Sequence, residues 1–128
     1  MCTVTFLAVK NQFYITSSRD EKMMRKNAVQ PASYKHGSNN IIYPRDAEAG
    51  GTWIAIKDNA DAAVLLNGAF KKHEPQPPYR KSRGLIFLDI FSEASPADAF
   101  NNIALKNIEP FTIIIFENNL LFECRWDG

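Results

Sequence analysis

The chain has 128 residues, a formal net charge of +1, 45% apolar and 23% charged residues. That length supplies one core rather than two, and the near-neutral balance excludes a global electrostatic pull toward nucleic acid or an anionic membrane. No apolar run approaches the ~20 residues of a spanning helix, two cysteines are too few for a disulfide framework, and the N-terminus lacks the pattern of a secretory signal, so a reduced, cytoplasmic protein is expected.

Residues 2–9 and 12–19 read as a hairpin rich in Val, Phe, Tyr, Ile and Thr. The first strand is apolar on both faces, with Val4, Phe6 and Ala8 on one and Leu7 and Val9 on the other. That predicts a central strand covered on both sides. Residues 22–51 are polar, with Gly37, Ser38, Asn39 and Asn40 as breakers. They predict an irregular stretch that closes on Gly50-Gly51 as a tight backbone feature. A second hairpin, 52–57 and 62–67, turns at Asp58-Asn59-Ala60-Asp61. The basic, proline-rich stretch 71–81 excludes regular structure and reads as a solvated loop.

The period then changes. Leu85, Leu88 and Phe91, widened by Ile86, Phe87 and Ile90, predict a mostly buried helix over 83–92. Ser95-Pro96-Ala97-Asp98 opens a second helix over 96–106, with Ser95 as its N-cap and Phe100, Ile103 and Ala104 facing inward. A last hairpin pairs 111–116 with 120–126 across Asn118-Asn119. Leu120, Phe122, Cys124 and Trp126 share the face expected inside, and Glu123 and Arg125 the wet one. Helices held between antiparallel hairpins predict an α+β fold.

The first hairpin bears on chemistry. A turn on or beside Asn11 makes paired positions sum to about 21–23, which sets Cys2 opposite Arg19, Asp20 or Glu21. Methionine before a small residue is a usual target for removal. Cys2 would then carry a thiol and a free α-amine whose reference pKa, about 7.7–8.0, leaves a neutral fraction able to take the thiol proton. A nearby arginine favours the thiolate, and an aspartate can anchor the ammonium. Adjacent strand residues face opposite ways, so Arg19 and Asp20 cannot both point at Cys2 unless the strand bulges or ends there. His36 and His73 lack ligand spacing and no phosphate-cradling loop is present, so neither metal nor cofactor is expected.

In order along the chain stand Met1-Cys2, Arg19-Asp20-Glu21, Asp46, Gly50-Gly51-Thr52-Trp53, Asn67 and Ser82-Arg83-Gly84. This succession resembles the NRDE family, which includes the transport-and-Golgi-organisation proteins, although position 18 is Ser where the family name has Asn. The resemblance spans most of the chain. It implies an N-terminal-nucleophile-hydrolase-like (Ntn) fold, an αββα sandwich of two antiparallel sheets between helix layers. Family members run longer, so residues 1–128 are expected to form one domain holding the N-terminal part of that sandwich. The implied activity is hydrolysis of an amide C–N bond. Cys2 would attack, Arg19 and Asp20 would assist, and Asn67 would bind the oxyanion. Gly51, Thr52, Trp53 and Arg83 would contact substrate. The alternative implied by the family is a non-catalytic trafficking or carrier domain for a hydrophobic ligand such as haem, for which the chain shows no motif or evident axial ligand. Uncovered sheet edges would favour self-association.

Overall fold

The computed structural model describes residues 2–19 and 24–128. β1 (Thr3–Val9) and β2 (Gln12–Ser18) form a two-stranded antiparallel sheet turned at Lys10-Asn11. Their register runs from Thr3 opposite Ser18 to Val9 opposite Gln12, a constant sum of 21. Continued by one residue it places Cys2 beside Arg19, at one end of the expected range. The inner face of the hairpin carries Val4, Phe6 and Ile15, all half-buried. Phe6 and Phe13 meet Phe116 of the larger sheet at ring distances of 5.6 and 4.5 Å.

Six further strands make the larger sheet, in the order β3 (Val29–His36), β4 (Asn39–Arg45), β5 (Ile54–Lys57), β6 (Ala62–Asn67), β7 (Phe111–Glu117) and β8 (Leu120–Trp126). Every neighbouring pair is antiparallel. The sequence order is thus the spatial order, which needs only hairpins and one helical excursion between β6 and β7. Turn chemistry fixes these joints. Asn118 and Asn119 both have positive φ, 52° and 61°, the pattern of a two-residue turn whose twist matches the flanking strands.

Helices α1 (Arg83–Phe91) and α2 (Pro96–Asn102) cover one face of the larger sheet. Ile86, Phe87, Ile90 and Phe91 of α1 are buried with Ile41, Ala63, Leu65, Phe111, Ile113 and Ile115. Side chains alternate along a strand, so Phe116 points the other way, toward β1–β2. The layers therefore run helix, six-stranded sheet, two-stranded sheet. The fold is α+β as expected. The second helix layer of an αββα sandwich is not among the described elements, and no described helix is long and apolar enough to cross a membrane.

Several expectations need correction. The expected irregular stretch 22–51 holds, within its described residues, the β3–β4 hairpin, turned at Gly37 with φ 59°. β3 is largely polar and lies at the sheet edge, where Pro31 sits at a break in register between Val29 and Ala32, while β4 sends Ile41 and Tyr43 into the core. An edge tolerates a residue without an N–H. β1 is not a doubly covered central strand, for Leu7 is 57% exposed. That role belongs to β7, which is buried on both faces save for Ile114. β5 starts at Ile54, leaving Thr52 and Trp53 in the preceding loop. α2 ends at Asn102 because Ile103 is extended, with ψ 142°. Ala104 and the buried Leu105 lie beyond it. Ser95 holds the N-cap position without a side-chain cap bond. Its hydroxyl instead donates to Glu117, whose other carboxylate oxygen accepts from the N–H of Ala97. Leu120 is exposed, while Cys124 is half-buried against the core. Burial, followed by Glu117 and Glu123, pushes the Cys124 thiol up.

Candidate functional site

The site forms where the start of β1, the end of β2, the loop before β5, the end of β6 and the start of α1 converge. Two glycines permit that convergence. A Cβ at Gly51 would lie 2.7 Å from the amide nitrogen of Leu85 and closer still to the Gly84 carbonyl carbon. A Cβ at Gly84 would lie 2.9 Å from the Thr52 carbonyl oxygen. The loop and the helix start thus touch backbone to backbone, which only glycine allows. Ser82 caps α1, its hydroxyl oxygen accepting from the Leu85 N–H at 3.3 Å, so the Ser82-Arg83-Gly84 run carries both the cap and the close contact.

These elements enclose a cleft of about 370 Å³. Cys2, Arg19 and Asn67 all line it, as do Gly51, Thr52, Trp53 and Arg83. Asp20, the remaining sequence candidate, lies outside the described residues. Cys2 and Asn67 also border an adjoining recess with Thr112, Glu123 and Arg125.

Several of these residues have an identifiable anchor. The Arg19 guanidinium carbon stands 3.6 Å over the centre of the Trp53 ring, a stacking that favours the planar cation. Asn67 is the last residue of β6, opposite Phe111. The chain turns immediately after it at Gly68, φ 84°, whose N–H donates to the Pro110 carbonyl at 3.0 Å. Arg83 donates to the Pro110 carbonyl at 3.2 Å and pairs with Glu109 at 3.1 Å. Glu109 also meets His73 at 3.2 Å. Thr52 donates to the Pro44 carbonyl at 2.6 Å, tying the loop to the end of β4. Ser18 is exposed, on the opposite strand face from Ser17 and Arg19, which line the cleft. The residue that departs from the family name therefore points away from it.

The cleft residues to which the sequence assigned no role include the charged Arg25, Asp46 and Glu109. Asp46 is only 8% exposed. Its Oδ1 accepts from the N–H groups of Glu48 and Ala49 at 3.0 and 2.8 Å. Its Oδ2 accepts from Arg25 at 2.5 Å and stands 3.9 Å from Arg19. Burial alone would raise this carboxyl, but the Ala49 and Glu48 amides and the Arg25 guanidinium outweigh burial and hold it below its usual value. The usable signal was an aspartate opening a turn, where its side chain binds its own backbone two or three residues on. Arg25 carries no such signal, because its partner is distant in sequence.

The family model for Transport and Golgi organisation 2 matches residues 1–125. The chain belongs to this family. Neither the curated proteins nor the solved structures compared with it gave a match. The motif residues that carried the resemblance are dispersed in sequence, and those described, Gly50 apart, meet at one cleft. Cys2, Arg19, Asp46, Gly51, Thr52, Trp53, Asn67, Ser82, Arg83 and Gly84 all line the one cleft.

Proposed function

We propose that this member of the family is a cysteine-dependent hydrolase of a small amide or related acyl bond, on an Ntn-hydrolase-like fold. The observation that carries the reading is the convergence of Cys2, Arg19 and Asn67 on one cleft. In this mechanism Met1 is removed and the Cys2 α-amine takes the thiol proton. Sulfur attacks the carbonyl carbon, and the C=O electrons move onto oxygen, which accepts from Asn67 and backbone N–H groups. Collapse expels the amine, protonated by the α-ammonium, and leaves a thioester on Sγ. Water then attacks the thioester, releasing the acid and restoring the thiol. Arg19 favours the thiolate and Asp20 anchors the ammonium. Gly51, Thr52, Trp53 and Arg83 contact the substrate. A cytoplasmic, reducing setting suits the two free cysteines.

The test is incubation of protein lacking Met1 with a panel of N-acyl amides, followed by peptide mass analysis. An acyl adduct on Cys2, absent from Cys2→Ala, is expected together with released amine. Protein of verified mass that forms neither adduct nor product with any panel member contradicts the reading.

A second reading, a non-catalytic carrier domain, is favoured by a different feature. Between the two sheets runs an apolar groove of about 580 Å³, bordered by Phe13, Ile15, Ile42, Ile56, Val64 and Phe116. Such a groove suits a hydrophobic ligand. It equally suits the exposed sheet face of another molecule, so self-association belongs with this reading.

A further inference from the structure

Asp46 ties together parts of the cleft that are far apart in sequence. One carboxylate oxygen is committed to the turn that leads to Gly51, and so to the contact with α1. The Asp46 N–H donates to the Gly51 carbonyl at 2.8 Å, and the Asp46 carbonyl accepts from the Gly50 N–H at 3.0 Å. The other carboxylate oxygen meets Arg25 and Arg19. Arg19 in turn lies on Trp53 and continues the β1–β2 register opposite Cys2. A buried carboxylate with every oxygen engaged is a rigid reference point, whereas a long arginine side chain is not. Holding Arg19 on the Trp53 ring costs rotamer freedom, and attraction to a fixed anion offsets part of that cost.

We propose that Asp46 is a positioning residue for the Cys2 site, holding Arg19 on Trp53 with Arg25 alongside so that guanidinium charge stays at the thiol end of the cleft. The inference rests on the reading that Cys2 is the reacting group. It predicts that the negative charge of Asp46 raises Cys2 reactivity. Direct electrostatics predicts the reverse, because an anion near a thiol opposes the thiolate.

The experiment is timed alkylation of Cys2 by iodoacetamide in wild type, Arg19→Ala, Asp46→Asn and the double variant, with the Arg19 Nε–Hε resonance followed by NMR in each. Each single variant is expected to slow labelling by about five- to tenfold, and the double variant to be no slower than Arg19→Ala, since residues acting through one contact are not additive. The Arg19 resonance, displaced by the Trp53 ring in wild type, should move to its random-coil position in Asp46→Asn. Faster labelling in Asp46→Asn, or single effects that multiply in the double variant, would overturn the proposal. So would a wild-type Arg19 resonance already at the random-coil position, which needs no folded variant to observe. If Arg19 depends on Asp46 while no amide is cleaved, the anchoring stands and the hydrolase fails. If amides are cleaved with Arg19 indifferent to Asp46, the reverse holds.

Discussion

At Gly51 and Gly84 the backbones of the loop and of α1 approach so closely that neither position has room for a Cβ. The atoms in the way are backbone, which cannot turn aside. Gly84→Ala should therefore cost about 1–3 kcal/mol, the usual range for overpacking, and Gly51→Ala at least as much. Urea denaturation of both variants against wild type checks this; a loss below about 0.5 kcal/mol at either position would contradict it. Asp46 provides a second residue-level expectation. Its carboxyl is held below the ordinary value of 3.8. Its stabilising effect is therefore complete above that value and is lost as pH falls through the lower folded value. Stability measured from about pH 6 to pH 2 should fall more steeply for wild type than for Asp46→Asn. Much of this was legible in part. Gly50-Gly51 announced a tight backbone feature, but the partner that makes it tight, Gly84, is a contact between loop and helix that no local pattern encodes.

At the scale of elements, α2 is a short helix whose start is held by another element. Glu117, at the end of β7, accepts from Ser95 and from the Ala97 N–H, placing a carboxylate at the positive helix end. Glu117→Ala should destabilise the protein by about 1–2 kcal/mol through loss of this borrowed cap. Hydrogen exchange should show the loss first in residues 96–102. Glu117→Ala with unchanged protection there would refute the assignment. The sequence correctly marked Ser95 as the helix start, because serine and the following proline act locally. It could not show that Glu117 supplies the carboxylate, 22 residues away. The β3–β4 hairpin was missed for a related reason. The polar composition of β3 is what a sheet edge requires, and such a strand imitates a loop, while the apolar Ile41-Ile42-Tyr43 run of β4 is short and set between the breakers Gly37 to Asn40 and Pro44. The first hairpin was legible to within a sum of about 21–23, of which the structure takes 21, because the turn fixes every pair that follows but its exact centre was open.

For the whole molecule, the two-stranded sheet only partly covers the face of the larger sheet opposite the helices. Ile42 and Ile56 on that face remain 43% exposed, beside the apolar groove. Open edges and an apolar face favour association. Sedimentation should therefore show reversible self-association rising with concentration, weakened in an Ile42→Lys, Ile56→Lys double variant. A monomer at all concentrations would contradict this. Antiparallel α+β architecture followed from the alternation of hairpins and helices in the sequence. The layer arrangement did not, because strand patterns show which faces are apolar without showing what covers them.

The central claim, that Cys2 is a nucleophile activated by its own amine, is tested most directly by timed alkylation at neutral pH. Protein of verified mass without Met1 is compared with a form extended by one residue before Cys2. Cys124, half-buried with its thiol pushed up by burial, serves as the slow internal reference. The account predicts that Cys2 of the processed protein labels faster than a model thiol and that the extension slows it by about tenfold or more, because thiolate fraction and access set the rate. Equal, slow labelling of Cys2 in both forms would contradict the hydrolase mechanism and leave the carrier reading in its place.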